Sequence, residues 1–147
     1  MSRTETYVDA PPDAVFDVLA DPRSYAHWVV GASRTRKADA SWPDPGSRFH
    51  HTQGLFGIGL PDNTEVLSSD RPRRLVMEAR IRPFAVNKVE MRLRSRGAGT
   101  RVTMIEYPTG GLAKLLPGPL TDVMLHLRNL EALRRLRGLA EDGRTRA

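Results

Sequence analysis

One long helical pattern closes a chain whose preceding stretch, roughly seventy residues from Ser33 onward, reads almost wholly as strand. Ahead of that stretch stand a short alternating strand, Thr4 to Asp9, and two small helices that each open on proline. A single helix laid across a broad twisted sheet cannot fill its concave side, so this order predicts a space between helix and sheet of the size that takes a small molecule.

The first helix follows Ala10-Pro11-Pro12-Asp13, with proline in its first turn, an acid at its positive end, and Val15, Phe16, Val18 and Leu19 as its buried side. Asp21 caps a second, with Pro22 as first residue and Trp28 near its end. Turn signals then fall at Trp42-Pro43-Asp44-Pro45-Gly46, Gly57 to Asp62, Asp70-Arg71-Pro72, Arg82-Pro83 and Gly97-Ala98-Gly99, which divide the strand region into six and make seven strands in all. Two runs alternate cleanly: Leu75, Met77, Ala79 and Ile81 against Val76, Glu78, Arg80 and Arg82, and Val89, Met91 and Leu93 against Lys88, Glu90, Arg92 and Arg94. One wet face and one apolar face describe an antiparallel sheet covered on one side.

Pro108 to Gly118 reads as a link whose glycines would let it open, and the last helix as Pro119 to about Glu141, with 142–147 a disordered tail. On a helical wheel Leu125, Asn129, Ala132, Leu133, Leu136 and Ala140 share the face that would grip the sheet, and Arg128, Glu131, Arg134 and Arg135 are set opposite. Leu120, Val123, Met124 and Leu127 form a second apolar stripe, to be covered by the Gly110 to Leu116 loop folding back, by a second subunit or by an occasional membrane contact, the loop being the favoured cover.

At 147 residues the chain is one domain's worth and can bury a core without disulfides or metal. The absence of cysteine excludes thiol nucleophiles and Cys-ligated zinc, and with four His residues no metal site and no cofactor is expected. No apolar stretch reaches the length of a membrane span, and a cytoplasmic protein is expected. The net charge of +6 is carried by scattered arginines, densest at Arg134, Arg135, Arg137, Arg144 and Arg146, without the interleaved aromatics of a single-strand binder. These read as a solvated face and tail, not as a nucleic-acid surface.

The residues laid out above resemble the START-like, Bet v 1-type (SRPBCC) superfamily, and within it the bacterial polyketide cyclase/dehydrase-type group. The likeness is carried by Val8 to Phe16, by Leu19-Ala20-Asp21-Pro22 with Tyr25 and Trp28, by Pro43 to Phe49, and by Pro72-Arg73-Arg74-Leu75. It continues in Gly99 to Met104 with Glu106, and in Asn129 to Leu136. It implies an α+β helix-grip fold: a seven-stranded antiparallel sheet wrapped on the long C-terminal helix, with two short helices after the first strand. Relatives of this kind include aromatase/cyclases, lipid and hormone carriers and chaperone activators, so one cavity serves different ends. No motif marks a working cyclase, and whether the chain is an enzyme stays open.

Candidate site residues follow from their faces. Val102, Met104 and Glu106 share one side of a strand, so Glu106 would face a greasy cavity, where a carboxyl has a raised pKa and can move protons, unless it reaches solvent or an arginine at the strand's end. Asn129, central on the gripping face, needs a partner on a ligand carbonyl or on strand backbone. Asp122 and His126 stand four apart, as a carboxylate orienting an imidazole base would, though acids also favour a first turn. Of His50 and His51, which point to opposite faces, His51 is assigned to the interior. Trp28 would wall one end of the pocket, and Met77, Met91, Met104 and Met124 would give it a deformable lining; both also suit plain core. Glu106, His126 and His51 are thus the catalytic candidates. The leading expectation is a monomer or weak homodimer that binds a hydrophobic or amphipathic small molecule (polyketide-, lipid- or isoprenoid-like) without stable membrane insertion. A cyclase, aromatase or dehydratase and a chaperone-activator-like interaction module are the alternatives.

Overall fold

Alternation sets the inner face of the sheet: Leu75, Met77, Val89, Met91 and Leu93 are buried, while their neighbours Arg74, Arg92 and Arg94 are exposed. A computed structural model of the chain describes residues 1–30, 32–55, 58–81, 85–115 and 118–146. Its strands are β1 (Ser2–Val8), β2 (Ala32–Ala38), β3 (Arg48–Leu55), β4 (Ile58–Asp70), β5 (Arg74–Ile81), β6 (Ala85–Arg96) and β7 (Gly99–Gly110). Its helices are α1 (Pro12–Leu19), α2 (Tyr25–Trp28, entered through a 3-10 turn at Pro22–Ser24) and α3 (Gly118–Arg146). All strand pairs are antiparallel, in the order β1-β7-β6-β5-β4-β3-β2. This is the expected α+β helix-grip arrangement: five successive hairpins from β2 to β7, with α1 and α2 carrying the chain from one edge of the sheet to the other.

Local chemistry explains the helix entries. Pro12 takes the first position of α1, where its missing N–H costs nothing, and Val15, Phe16 and Leu19 are buried against the sheet. The Asp21 carboxylate accepts the Arg23 N–H at 3.0 Å and so caps the turn into α2. Two boundaries differ from the sequence reading. β4 already begins at Ile58, and Leu60, Pro61 and Asp62 pair with Gln53, Thr52 and His51. The ladder with β3 thus overrides the turn chemistry expected over Gly57 to Asp62, and residues 56 and 57 lie outside the described chain. β7 likewise runs through Pro108 to Gly110, followed by a 3-10 turn at Leu112–Leu115, so less of the Pro108 to Gly118 link is loop than its composition implies. Residues 116 and 117 of that link, and the Arg82-Pro83 turn, also fall outside the described residues.

The β6–β7 hairpin turns at Gly97, whose φ of +58° favours glycine. Gly99 is required for a different reason: a Cβ there would stand 2.5 Å from the Val8 carbonyl oxygen and 2.3 Å from the Tyr7 hydroxyl. The exposed Tyr7 ring can swing aside, but the Val8 carbonyl belongs to the paired backbone of β1. Gly99→Ala is therefore expected to lower stability by about 1–3 kcal/mol in urea denaturation. The double variant Gly99→Ala/Tyr7→Ala stays destabilised relative to Tyr7→Ala alone; full recovery would show that the ring, not the strand, sets the limit.

α3 lies chiefly along β1, where Glu141 accepts the Asp9 N–H at 2.9 Å. Its buried face is Leu125, Asn129, Ala132, Leu133, Leu136 and Ala140, as the wheel requires. The helix continues past the expected end at Glu141 into the stretch read as tail, through Arg146, with Arg137 and Glu141 paired one turn apart. The second stripe is open: Leu120, Val123 and Leu127 are 52%, 58% and 63% exposed. The described residues of the loop expected to cover it do not, since Leu112 and Leu115 themselves face outward.

Candidate functional site

The concave face of the sheet, α2 and α3 enclose a cavity with a mainly apolar wall. One part of its wall is aromatic. Tyr25 and Trp28 come from α2, one turn after the capped entry, and Phe49 from the inner face of β3. The Tyr25 ring lies 4.9 Å from Trp28 and 4.8 Å from Phe49, and Trp42 meets Phe49 edge-on at 4.6 Å from outside the cavity. Their polar atoms are spoken for: the Leu19 carbonyl accepts from the Tyr25 hydroxyl at 2.8 Å and the Trp42 indole at 3.1 Å, and Trp28 donates to Ser24 Oγ at 3.3 Å. Burial, and secondarily the Asp21 charge, push the Tyr25 phenol up, so it serves as a fixed donor and not as a proton shuttle.

The other wall carries the polar groups. Glu106, on β7 directly across from Val89 of β6, is 3% exposed. Asn87, two residues back on β6, donates to Glu106 Oε2 at 2.8 Å. From α3, Arg128 brings Nη1 to 3.9 Å of the same oxygen and donates from Nε to the Val30 carbonyl at 3.3 Å. A buried carboxylate is tolerable when a cation and a hydrogen-bond donor face it, and this one has both. His51 lies on the cavity side of β3, its Nε2 3.2 Å from Thr64 Oγ1 on β4. Asn129 is 1% exposed, and among the described residues its Nδ2 has no hydrogen-bond partner. The cavity measures about 60 Å³. That suits a slim ligand or one end of a longer one.

Of the residues singled out from sequence, Trp28, His51, Met77, Met104, Glu106 and Asn129 line this cavity. Three do not. Met91 is fully buried in the core on the sheet's inner face, outside the cavity lining. Met124 is 56% exposed on the open stripe, and His126 points to solvent. Asp122 pairs with the Met1 amino group, so the proposed Asp122–His126 dyad is not assembled over the cavity. For the two on α3 the reason is shared: Met124 and His126 flank Leu125, the buried residue of that turn, and so stand to either side of the gripping face. Among the lining residues that sequence reasoning missed are the two partners of Glu106, Asn87 and Arg128. Asn87 follows from carrying the Val89, Met91, Leu93 alternation one step back. Arg128 sits about a quarter turn from the centre of the gripping face, not opposite it, and its long stem reaches round to the polar wall.

Fold and site together define a helix-grip container: a single helix closing a curved antiparallel sheet over an apolar cavity with a small polar cluster. The chain belongs to the polyketide cyclase / dehydrase and lipid transport family, whose model matches residues 2–141. Among solved structures it is similar to protein NE0264 from Nitrosomonas europaea, at 19% identity and TM-score 0.75 over 97% of this chain and 95% of that one. CalU16 from Micromonospora echinospora matches at 23% identity and TM-score 0.64, over 98% of this chain and 78% of that one. The di-domain ARO/CYC StfQ of the steffimycin biosynthetic pathway matches at 12% identity and TM-score 0.75, over 97% of this chain and 51% of that one. At these identities the likeness is one of fold. No curated protein matches the chain in sequence.

Proposed function

We propose that the protein binds a hydrophobic or amphipathic small molecule, polyketide-, lipid- or isoprenoid-like, in the cavity between the sheet and α3. The observation that carries this reading is the cavity itself: an aromatic and methionine-walled space against which Asn129, Glu106 and Arg128 converge from two elements. None of its described lining is organised to hold a metal, and the reading needs none. Native mass spectrometry of the protein taken from its own host tests it: a released compound of discrete mass supports constitutive carriage, and ligand-free protein argues against it. The protein is read as a monomer or weak dimer.

A second reading, an enzyme of the cyclase or dehydratase kind, is favoured by Glu106 and His51 lining the same cavity. Glu106→Gln separates the two. The amide oxygen still accepts from Asn87, so the variant folds and binds an apolar ligand within about threefold of wild type. If Glu106 moves protons, turnover falls by about 100-fold or more. Equal loss of binding and turnover would make Glu106 a recognition group only. The exposed stripe of α3 supports a third reading, an interaction module, through a surface distinct from the cavity.

A further inference from the structure

We infer that Asn129 is the specificity-determining residue of the cavity and that it selects ligands bearing a neutral acceptor oxygen, a carbonyl, over hydrocarbons and carboxylates. The inference rests on the reading of the cavity as a binding site. Asn129 is buried mid-helix and lines the cavity, and among the described residues no acceptor reaches its Nδ2. A buried donor left without an acceptor is costly, and an oxygen placed in the cavity by a ligand removes that cost. The polar wall also sets the ligand's charge. Glu106 is faced by Arg128 at 3.9 Å and by Asn87 at 2.8 Å, so among the described lining residues the one arginine is already set against the one carboxylate. A ligand carboxylate would bring a second anion beside Glu106 with no second arginine and no lysine among the described lining residues to meet it. An ammonium group would set donor against donor at Asn129. A hydrocarbon would leave Nδ2 unmatched. The complementary head is an uncharged acceptor, its apolar body lying toward Trp28, Phe49 and Tyr25.

Three probes of matched size separate these cases: 2-acetylnaphthalene, its hydrocarbon isostere 2-isopropenylnaphthalene, and 2-naphthoate, each titrated against the full chain with tryptophan fluorescence as the readout. Wild type is expected to bind the ketone about tenfold more tightly than either of the others, the size of one buried hydrogen bond to an otherwise unpartnered donor. In Asn129→Leu the ketone and the hydrocarbon bind within about twofold of each other. Ligand-free Asn129→Leu melts no lower than wild type, because the substitution removes an unsatisfied buried group. Should that variant not fold, the three wild-type affinities still decide, together with the infrared carbonyl stretch of bound 2-acetylnaphthalene, which moves to lower wavenumber on accepting a hydrogen bond. Equal binding of ketone and hydrocarbon to wild type, or tightest binding of naphthoate, overturns the inference while leaving the binding site in place. Failure of all three to bind overturns the inference and the binding reading together.

Discussion

Phe49→Ala is expected to lower the unfolding free energy by about 3–5 kcal/mol, a large share of what a domain of this size has. Phe49 is 1% exposed, and its ring lies 4.8 Å from Tyr25, 4.6 Å from Trp42 and 4.9 Å from His51. It is the side chain through which α2, the turn at Trp42 and the inner face of β3 meet, so its removal takes contacts from all three at once. The neighbours have little room to collapse into the gap, because the Leu19 carbonyl pins both Tyr25 and Trp42. The void opens into the existing cavity and enlarges it. Urea denaturation gives the stability change, and calorimetry with an apolar ligand larger than naphthalene gives the second signature, tighter relative binding of the larger ligand by the variant. A loss below about 1 kcal/mol would mean that the aromatic end is not the keystone its geometry implies.

A pair of leucines on α3 gives the other large effect. Leu133→Ala is expected to cost about 2–5 kcal/mol, and Leu127→Ala less than about 0.5 kcal/mol, although the two are six residues apart on one helix and chemically identical. Leu133 is 1% exposed in the face that grips the sheet, whereas Leu127 is 63% exposed on the open stripe. Truncating Leu133 leaves a hole between helix and β1; truncating Leu127 returns a methylene stem to water that it already touched. Chemical denaturation of both variants measures the contrast. A Leu127→Ala loss comparable to that of Leu133→Ala would show that the stripe is covered in solution.

Sequence carried the architecture because the sheet has one wet side and one dry one. Val89, Met91 and Leu93 can be buried together only in a strand, and Leu125, Ala132, Leu133 and Leu136 only in a helix. Parity also placed Glu106 and His51 inward. The site itself was less legible, since its polar cluster joins residues 87, 106 and 128, which no periodicity links. Proximity of Asn87 and Glu106 depends on the β6–β7 register, and that of Arg128 on how far α3 is rotated over the sheet. His126 and Met124 lie outside the cavity for a simpler reason: they stand on either side of Leu125, the buried residue of that turn, and both are exposed. The turn expected over Gly57 to Asp62 failed because pairing with β3 outweighed the local preference of Gly, Pro and Asp.

The pairing of β1 with β7, Ser2 against Glu106 and Val8 against Thr100, has a consequence for how the molecule is made. On the ribosome β1 is synthesised first, yet its sheet partner is the last strand and its cover is the final helix. The hairpins from β2 to β7 can close one after another as they emerge, each a local event. β1 must wait through all of them with Val8 uncovered, and the loop that it finally closes is nearly the length of the sheet region. The container therefore seals in one late step, and a chain halted before β7 exposes the inner face of every hairpin already formed, the condition that recruits chaperones or leads to aggregation.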